Sequence, residues 1–345
     1  MERASNGSDA NVTGVTDPSA FAELRAIDVY AAARRLAGVV KRTPLRLSPG
    51  LSEVAGGEVW LKCENEQITG SFKIRGAFNA IAALPADVRA RGVIASSAGN
   101  HGLGVAYAAR HFGIPATIFV PATAPAVKRD GIAALGAAVD TSAPDYDAAL
   151  ERAQAVAAER GATFINPCLG NTLIAGQGTV ALEIAEELPA VEMLVVPVGG
   201  AGLLGGVGSL VRRLAPHVRI AGAQSVNTAA MARSLAASAV VPIPSVPTLA
   251  DGLAGCIDDF ALDIGRHALD EIVTLAEDEI ARAIVWLARH EGAVVEGSGA
   301  VGAGAVLFGK LREVRTPAAV ILSGANIDRA RHEELVARES RVTDR

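Results

Sequence analysis

Apolar and polar positions along this chain follow two periods. Between residues 93 and 165, short apolar runs of strand length (93–96, 117–120, 138–140 and 164–165) alternate with helically spaced stretches at 103–112, 127–135 and 146–160. Each helical stretch is closed by a glycine, Gly113, Gly136 or Gly161. Buried strands separated by helices predict parallel strands joined by right-handed crossovers. The pattern resumes as helix 178–188, strand 193–198, helix 203–214 and strand 218–224. It closes with strand 272–275, helices 279–290 and 300–311, and strand 319–322. Ahead of these lie helix 28–37, an extended segment, strand 58–62 and a helix opening near Lys73. In that last helix Phe78, Ile81, Ala82 and Leu84 make an inward stripe, and Ser71 is a fit N-cap.

These elements predict an α/β protein of two domains, each a mostly parallel open sheet flanked by helices. Residues 91–165 form the small domain, and 23–90 with 166–345 form a discontinuous large one. Residues 1–22, polar and small at the start with no apolar signal region, read as a disordered tail. The 345 residues exceed one typical domain, and half are apolar with only 4% aromatic and 36 glycines, which suits helices packed closely on parallel sheets. A net charge of −5 leaves no basic footprint for nucleic acid. Three cysteines without CxxC spacing, and six histidines without HExxH spacing, signal neither a disulfide framework nor a metal site. A reducing cytoplasm is the expected location. The uncharged run 193–211 has the length of a membrane span, but Pro197 and its glycines make it a strand, a turn and a helix buried in protein, so no membrane partner is expected.

Four stretches carry candidate chemistry. In Gly70-Ser71-Phe72-Lys73 the lysine opens a helix. A partly buried amine at the positive end of a helix is held toward the neutral form that attacks carbonyl carbons. In Gly199-Gly200-Ala201-Gly202-Leu203 a glycine turn after a strand opens a helix, where bare N–H groups converge on an anion. Gly200-x-Gly202-x-x-Gly205 also fits a dinucleotide fingerprint. The next strand, however, ends in Gln224-Ser225-Val226-Asn227, with no carboxylate for a ribose, so a phosphate without a dinucleotide is expected. Ser97-Ala98-Gly99-Asn100-His101 is a polar loop at the carboxyl end of a strand, fit for a carboxylate, and Asn100 can donate to a phenolate. Ser323 places a hydroxyl at the end of a buried strand, and Glu296-Gly297-Ser298-Gly299-Ala300 is a further turn. A lysine nucleophile, an anion cradle, a carboxylate loop and a hydroxyl for a ring nitrogen are together the needs of pyridoxal 5'-phosphate.

With those motifs the sequence resembles the threonine/serine dehydratases (threonine ammonia-lyases) of the fold-type II pyridoxal phosphate enzymes, over residues 28–330. The resemblance implies that Lys73 binds the cofactor aldehyde covalently, with Phe72 beside it, and is the catalytic base. Asn100 would bond the ring hydroxyl, and Gly199, Gly200, Ala201, Gly202 and Leu203 would hold the phosphate. Ser323 would face the pyridine nitrogen, and Ser97, Ala98, Gly99, Asn100 and His101 would receive the substrate carboxylate. Ala201 and Ala325 stand where the family usually has glycine. The implied reaction is elimination of water from threonine or serine to a 2-oxo acid and ammonia. Alternatives are another β-hydroxy amino acid (phenylserine, hydroxyaspartate or a hydroxyectoine-derived compound), a serine racemase-like activity, or, from another class, a non-catalytic small-molecule binding protein. Serine racemases carry a serine where this chain has Ala98. Some also bind a cation through carboxylates where it has Gln224 and Ala230, so no Mg²⁺ or Ca²⁺ is expected. A homodimer is implied. The short stretch after Ser323 implies no effector domain and no feedback inhibition by isoleucine.

Overall fold

The apolar runs become strands buried along their whole length, as in Val93–Ser96, Met193–Pro197 and Ala318–Ile321. The structure, a computed structural model, describes residues 19–244, 246–255 and 257–343. In chain order the elements are α1 (Ala20–Glu23), α2 (Ala26–Leu36), β1 (Leu45–Leu47), α3 (Pro49–Ala55), β2 (Val59–Lys62), α4 (Lys73–Ala82) and α5 (Ala86–Ala90). Then come β3 (Val93–Ser96), α6 (Asn100–Phe112), β4 (Ala116–Pro121), α7 (Ala126–Ala133), β5 (Ala138–Ala143), α8 (Tyr146–Arg160) and β6 (Thr163–Phe164). There follow α9 (Asn171–Glu187), β7 (Met193–Pro197), α10 (Gly202–Leu214), β8 (Arg219–Ser225), α11 (Ala230–Ala237), α12 (Asp259–Ala268) and β9 (Glu271–Leu275). The chain continues through α13 (Glu277–His290), α14 (Gly297–Leu307) and β10 (Ala318–Ile321) to α15 (Arg329–Thr343).

Two sheets result. One has six strands in the order β1-β2-β10-β7-β8-β9, parallel except for the antiparallel β1–β2 edge pair. The other has four parallel strands in the order β5-β4-β3-β6. The fold is therefore α/β with mostly parallel sheets under helices. In the six-stranded sheet Ile321 pairs with Lys62 and Pro197 with Ala223, so the carboxyl ends of β2, β10, β7 and β8 share one edge. That edge is where ligands collect in open α/β sheets.

Small residues let the covering helices come close. An added Cβ on Gly176 of α9 would lie 2.5 Å from the carbonyl oxygen of Arg75 on α4, and one on Gly178 would lie 2.7 Å from that of Gly206 on α10. These glycines explain why α9 starts at Asn171 rather than at 178: they are contact points inside the helix, not its boundary. For the same reason the Gly/Ala-rich α14 starts at Gly297 rather than at 300, and it is buried from Gly297 to Val306.

Three further expectations change. Residues 1–18 of the expected tail lie outside the described residues, but 19–22 are not tail. Phe21 is buried, its N–H and the Ser19 hydroxyl both donate to Asp263 Oδ2, and its ring stacks on His267. Ser71 does not cap α4. The helix begins after Phe72 with no side-chain cap, because Ser71 is held in a bridge to Gly324 and the Phe72 N–H donates to the Ser323 carbonyl at 3.1 Å. Leu84 lies beyond α4, although it still packs on the core. Helices α1, α3, α5, α11, α12 and α15 are additional to the elements read from the pattern.

Candidate active site

Lys73 is the first residue of α4, half-buried, with the Phe72 ring centroid 5.4 Å from its Nζ. The ammonium donates to the Pro167 carbonyl at 2.8 Å and lies 3.8 Å from Cys168 Sγ. Among the described residues it makes no salt bridge, so what holds it is a backbone oxygen that it can leave without stranding a buried charge.

The segment after β7 reaches the same place. Residues 199–201 form the turn, and no side chain caps α10, which leaves its first N–H groups for a ligand. Gly200 and Gly202 press against Cys168: an added Cβ would lie 2.6 Å from its Sγ in the first case and 3.0 Å from its carbonyl oxygen in the second. Gly200 and Gly202 are therefore bare backbone by necessity. Ala201 is buried and adopts φ +63°, the left-handed region that favours glycine. The departure from glycine noted in the sequence thus falls at a position of backbone strain.

The loop after β3 meets the turn after β10. Asn326 Nδ2 donates to Asn100 Oδ1 at 2.6 Å and to the Thr69 carbonyl at 2.9 Å, and Asn100 Nδ2 donates to Glu296 Oε1 at 2.7 Å. Glu296 is buried. That burial, with the charge of Asp251, pushes its carboxyl up to about 7, against the pull of the Asn100 hydrogen bond and of Lys128. Ser323 is buried at the end of β10, beside the bridge that holds Ser71. Ser97 Oγ accepts the Gly99 N–H at 3.2 Å, and Ser97, Ala98, Gly99 and Asn100 are all partly exposed.

His101 behaves differently from its neighbours in that loop. Its ring is buried, with Nε2 2.8 Å from the Ile165 carbonyl. Burial and the nearby Lys73 charge pull it down to about 3, so the imidazole is neutral. A neutral ring facing a carbonyl puts its proton on Nε2 and leaves Nδ1 a bare acceptor, which has no partner among the described residues. What His101 offers a carboxylate is thus the backbone at the start of α6, not an imidazolium.

Two residues beyond Lys73 lies a buried ion network. Arg75 grips Glu64 through Nε and Nη2 at 2.8 and 2.7 Å, and Glu183 through Nη1 and Nη2 at 2.6 and 2.9 Å. Lys62 Nζ donates to Glu183 Oε2 at 2.6 Å and to the Thr43 carbonyl at 2.7 Å, and Thr43 Oγ1 donates to Glu64. Two cations meet two carboxylates, so the cluster is neutral. Burial alone would raise the Glu64 carboxyl, but Arg75 holds it below the usual range. The cluster ties β2, α4 and α9 together immediately behind the lysine.

Similarity to known proteins bears on this arrangement. The profile of the pyridoxal-phosphate dependent enzyme family matches residues 36–324. The chain belongs to that family. It is 47% identical over 302 residues to the L-threonine ammonia-lyase of Thermotoga maritima, a match covering 87% of this chain and 75% of that one. Among solved structures, maize serine racemase superposes with a TM-score of 0.86 at 31% identity, covering 93% of this chain and 99% of that one. The processed form of threonine deaminase isoform 2 from Solanum lycopersicum superposes with a TM-score of 0.85 at 31% identity, covering 93% and 94%. The cofactor is pyridoxal 5'-phosphate, and this member of the family is a lyase.

The residues present fit such a group. The 199–202 turn is a cradle at a helix start with no side chain larger than the Ala201 methyl, and the buried Ser71 Oγ, Ser298 Oγ and His101 Nδ1 have no partner among the described residues. Buried polar atoms are seldom left so without reason. Sequence reasoning placed no role on Glu296, although it stands in a motif, or on Cys168. A carboxylate opening a Gly-Ser-Gly-Ala helix was a usable signal for the first, whereas nothing in the sequence marks an isolated cysteine.

Proposed function

We propose that this protein is an ammonia-lyase of β-hydroxy amino acids, threonine or serine, releasing a 2-oxo acid and ammonia. The observation that carries the reading is the convergence of the Lys73 ammonium and the 199–202 turn on one residue, Cys168. The similarity to the Thermotoga maritima L-threonine ammonia-lyase supports the substrate class. When bound, the cofactor supplies an electron sink for the pair left on the substrate Cα.

Lys73 Nζ would hold the aldehyde carbon covalently, with Phe72 alongside. When not so engaged, the same nitrogen would be the base that takes the substrate Cα proton. Residues 199–203 would bind the phosphate through backbone N–H groups. Asn100, fixed between Asn326 and Glu296, keeps one N–H free for the ring hydroxyl. Ser323 offers the ring nitrogen a neutral hydroxyl, which does not stabilise a pyridinium as a carboxylate does. Residues 97–101 would bind the substrate carboxylate at the start of α6.

We further propose residues 91–165 as the small domain, and 23–90 with 166–345 as the large one, on the strength of the two separate sheets. A cytoplasmic location suits the free thiols of Cys63 and Cys168, and among the described residues no helix is long and apolar enough to cross a membrane. A homodimer suits the exposed Tyr30 and Leu214, which flank a shallow apolar hollow lined also by Leu182, Leu210 and Val211. The test is release of 2-oxo acid and ammonia from L-threonine, L-serine and bulkier β-hydroxy amino acids. Release from L-threonine or L-serine is expected, and no release from either would overturn the assignment.

A further inference from the structure

The carbonyl that leads into the glycine turn is held by a side chain that the elimination chemistry does not use. Gln224, next to last in β8, is fully buried. Its Nε2 donates to the Val198 carbonyl at 2.9 Å and to the Thr228 carbonyl at 3.4 Å, and its Oε1 accepts the Ala232 N–H at 3.0 Å. One amide thus joins the exit of β7, the turn at 226–228 and the first turn of α11. Strand β7 stops at Pro197, yet Val198 stays tied to β8 through both of its backbone groups, because its N–H donates to the Ala223 carbonyl at 3.0 Å. Val198 is itself fully buried, so no water can replace the Gln224 donor at its oxygen.

The peptide group between Val198 and Gly199 is planar and trans, so its C=O and the following N–H point in opposite directions. Holding the Val198 oxygen against Gln224 therefore fixes the direction of the Gly199 N–H, which donates to no group among the described residues. We propose that Gln224 is a positioning residue for the cofactor phosphate: through the Val198 carbonyl it aims the Gly199 N–H, and with it the entry to the turn, at the phosphate oxygens. A turn with glycine at 199, 200 and 202 is loose by itself, and an orientation set before binding spares the ligand the cost of ordering it. A carboxylate in place of the amide has no N–H to give and sets its charge against two carbonyl oxygens.

This inference rests on the reading of residues 199–203 as the phosphate site, and the experiment separates the two. Pyridoxal keeps the aldehyde and the ring of the cofactor but lacks the phosphate. Full-length protein freed of cofactor with hydroxylamine is titrated with pyridoxal phosphate and with pyridoxal, and the visible absorbance of the lysine-bound compound gives a dissociation constant for each. Parent, Gln224→Glu and Gln224→Met are compared with a chelator present, so that no stray cation bridges the new carboxylate to the carbonyls. Gln224→Glu keeps the acceptor for Ala232, and Gln224→Met adds no charge. Loss of the donor to a buried carbonyl should weaken pyridoxal phosphate binding about tenfold in either variant and leave pyridoxal binding within about twofold of the parent. Equal weakening of both compounds in both variants marks a merely structural role and would overturn the inference, as would unchanged pyridoxal phosphate binding in both. A parent that binds the two compounds equally well, or forms no lysine-bound species with either, would instead overturn the reading of the site.

Discussion

Asn100 and Glu296, 196 residues apart, are joined by a 2.7 Å hydrogen bond from Nδ2 to Oε1 that links the helix after β3 to the turn before α14. The four-stranded and six-stranded sheets thus meet at a buried carboxylate, with Asp251 and Lys128 as the other charges facing it. Because Glu296 is raised to about 7 from a reference of 4.5, the folded protein binds more protons than the unfolded chain between those values. The stability it contributes is complete below the lower value and is lost as pH rises toward the upper one. The loss is on the order of 3 kcal/mol. Glu296→Gln keeps an acceptor for Asn100 without the titration. Urea unfolding midpoints of the parent should therefore fall relative to the variant as pH is raised from about 5 to about 8. Parallel curves would count against the buried, raised carboxyl.

Lys73→Ala should abolish both the visible absorbance of the bound cofactor and turnover, since one nitrogen serves as anchor and base. Lys73→Arg should fail as well, because a guanidinium stays protonated and does not condense with an aldehyde. Neither change removes a salt bridge among the described residues, so the circular dichroism spectrum should stay that of the parent. Turnover at the parent rate in either variant would remove Lys73 from the mechanism.

Ala201 holds φ +63°, where a Cβ costs roughly 1–2 kcal/mol. Glycine gives back part of that gain through the freer unfolded chain. The expected outcome for Ala201→Gly is a net stabilisation of about 0.5–1 kcal/mol. Thermal unfolding of the two proteins side by side measures it, and a lower midpoint in the variant would contradict the strain argument.

Arg75→Met should cost about 3–5 kcal/mol, because Glu64 and Glu183 would then face Lys62 alone in a buried setting. Arg75→Lys should recover only part of this, since one ammonium cannot fork to both carboxylates. Urea denaturation of the three proteins decides the order.

Ala98 bears on the choice between elimination and inversion. Racemisation needs a second acid/base on the face of the substrate opposite the lysine, and the methyl of Ala98, partly buried against the core, carries no proton it can exchange. Incubation with L-serine should yield keto acid and ammonia without D-serine, while Ala98→Ser should introduce detectable inversion. Chiral chromatography alongside an ammonia assay reads both, and D-serine at a rate comparable to ammonia in the parent would reverse the assignment.

Much of the fold was legible because burial in parallel strands leaves continuous apolar runs, and glycine closes helices where the chain turns left-handed. Gly113 and Gly161 are such closures, both with positive φ. The same residue misled at Gly176, Gly178 and Gly299, where a missing Cβ serves close approach instead: an added one on Gly299 would lie 2.7 Å from the Gly324 carbonyl oxygen. Local spacing does not distinguish a glycine that ends a helix from one that lets a second backbone in. The cap assigned to Ser71 failed for a related reason, since its bridge to Gly324 depends on a strand end far along the chain.

Period and turn chemistry are local properties, so the strands, the helices between them and the places of the lysine, the glycine turn, the asparagine loop and Ser323 could be read along the chain, while short or polar helices such as α5 and α15 could not. That β10 lies between β2 and β7 emerges from the folded sheet, and this order brings Ser323 beside Ser71 and Glu296 beside Asn100. The tertiary structure also decided that Arg75 is neutralised by Glu183, 108 residues away, and that Lys73 faces Cys168, 95 residues away. Charge pairing and the meeting of two reactive groups depend on distance in space, which the order of strands in a sheet sets and periodicity along the chain does not encode.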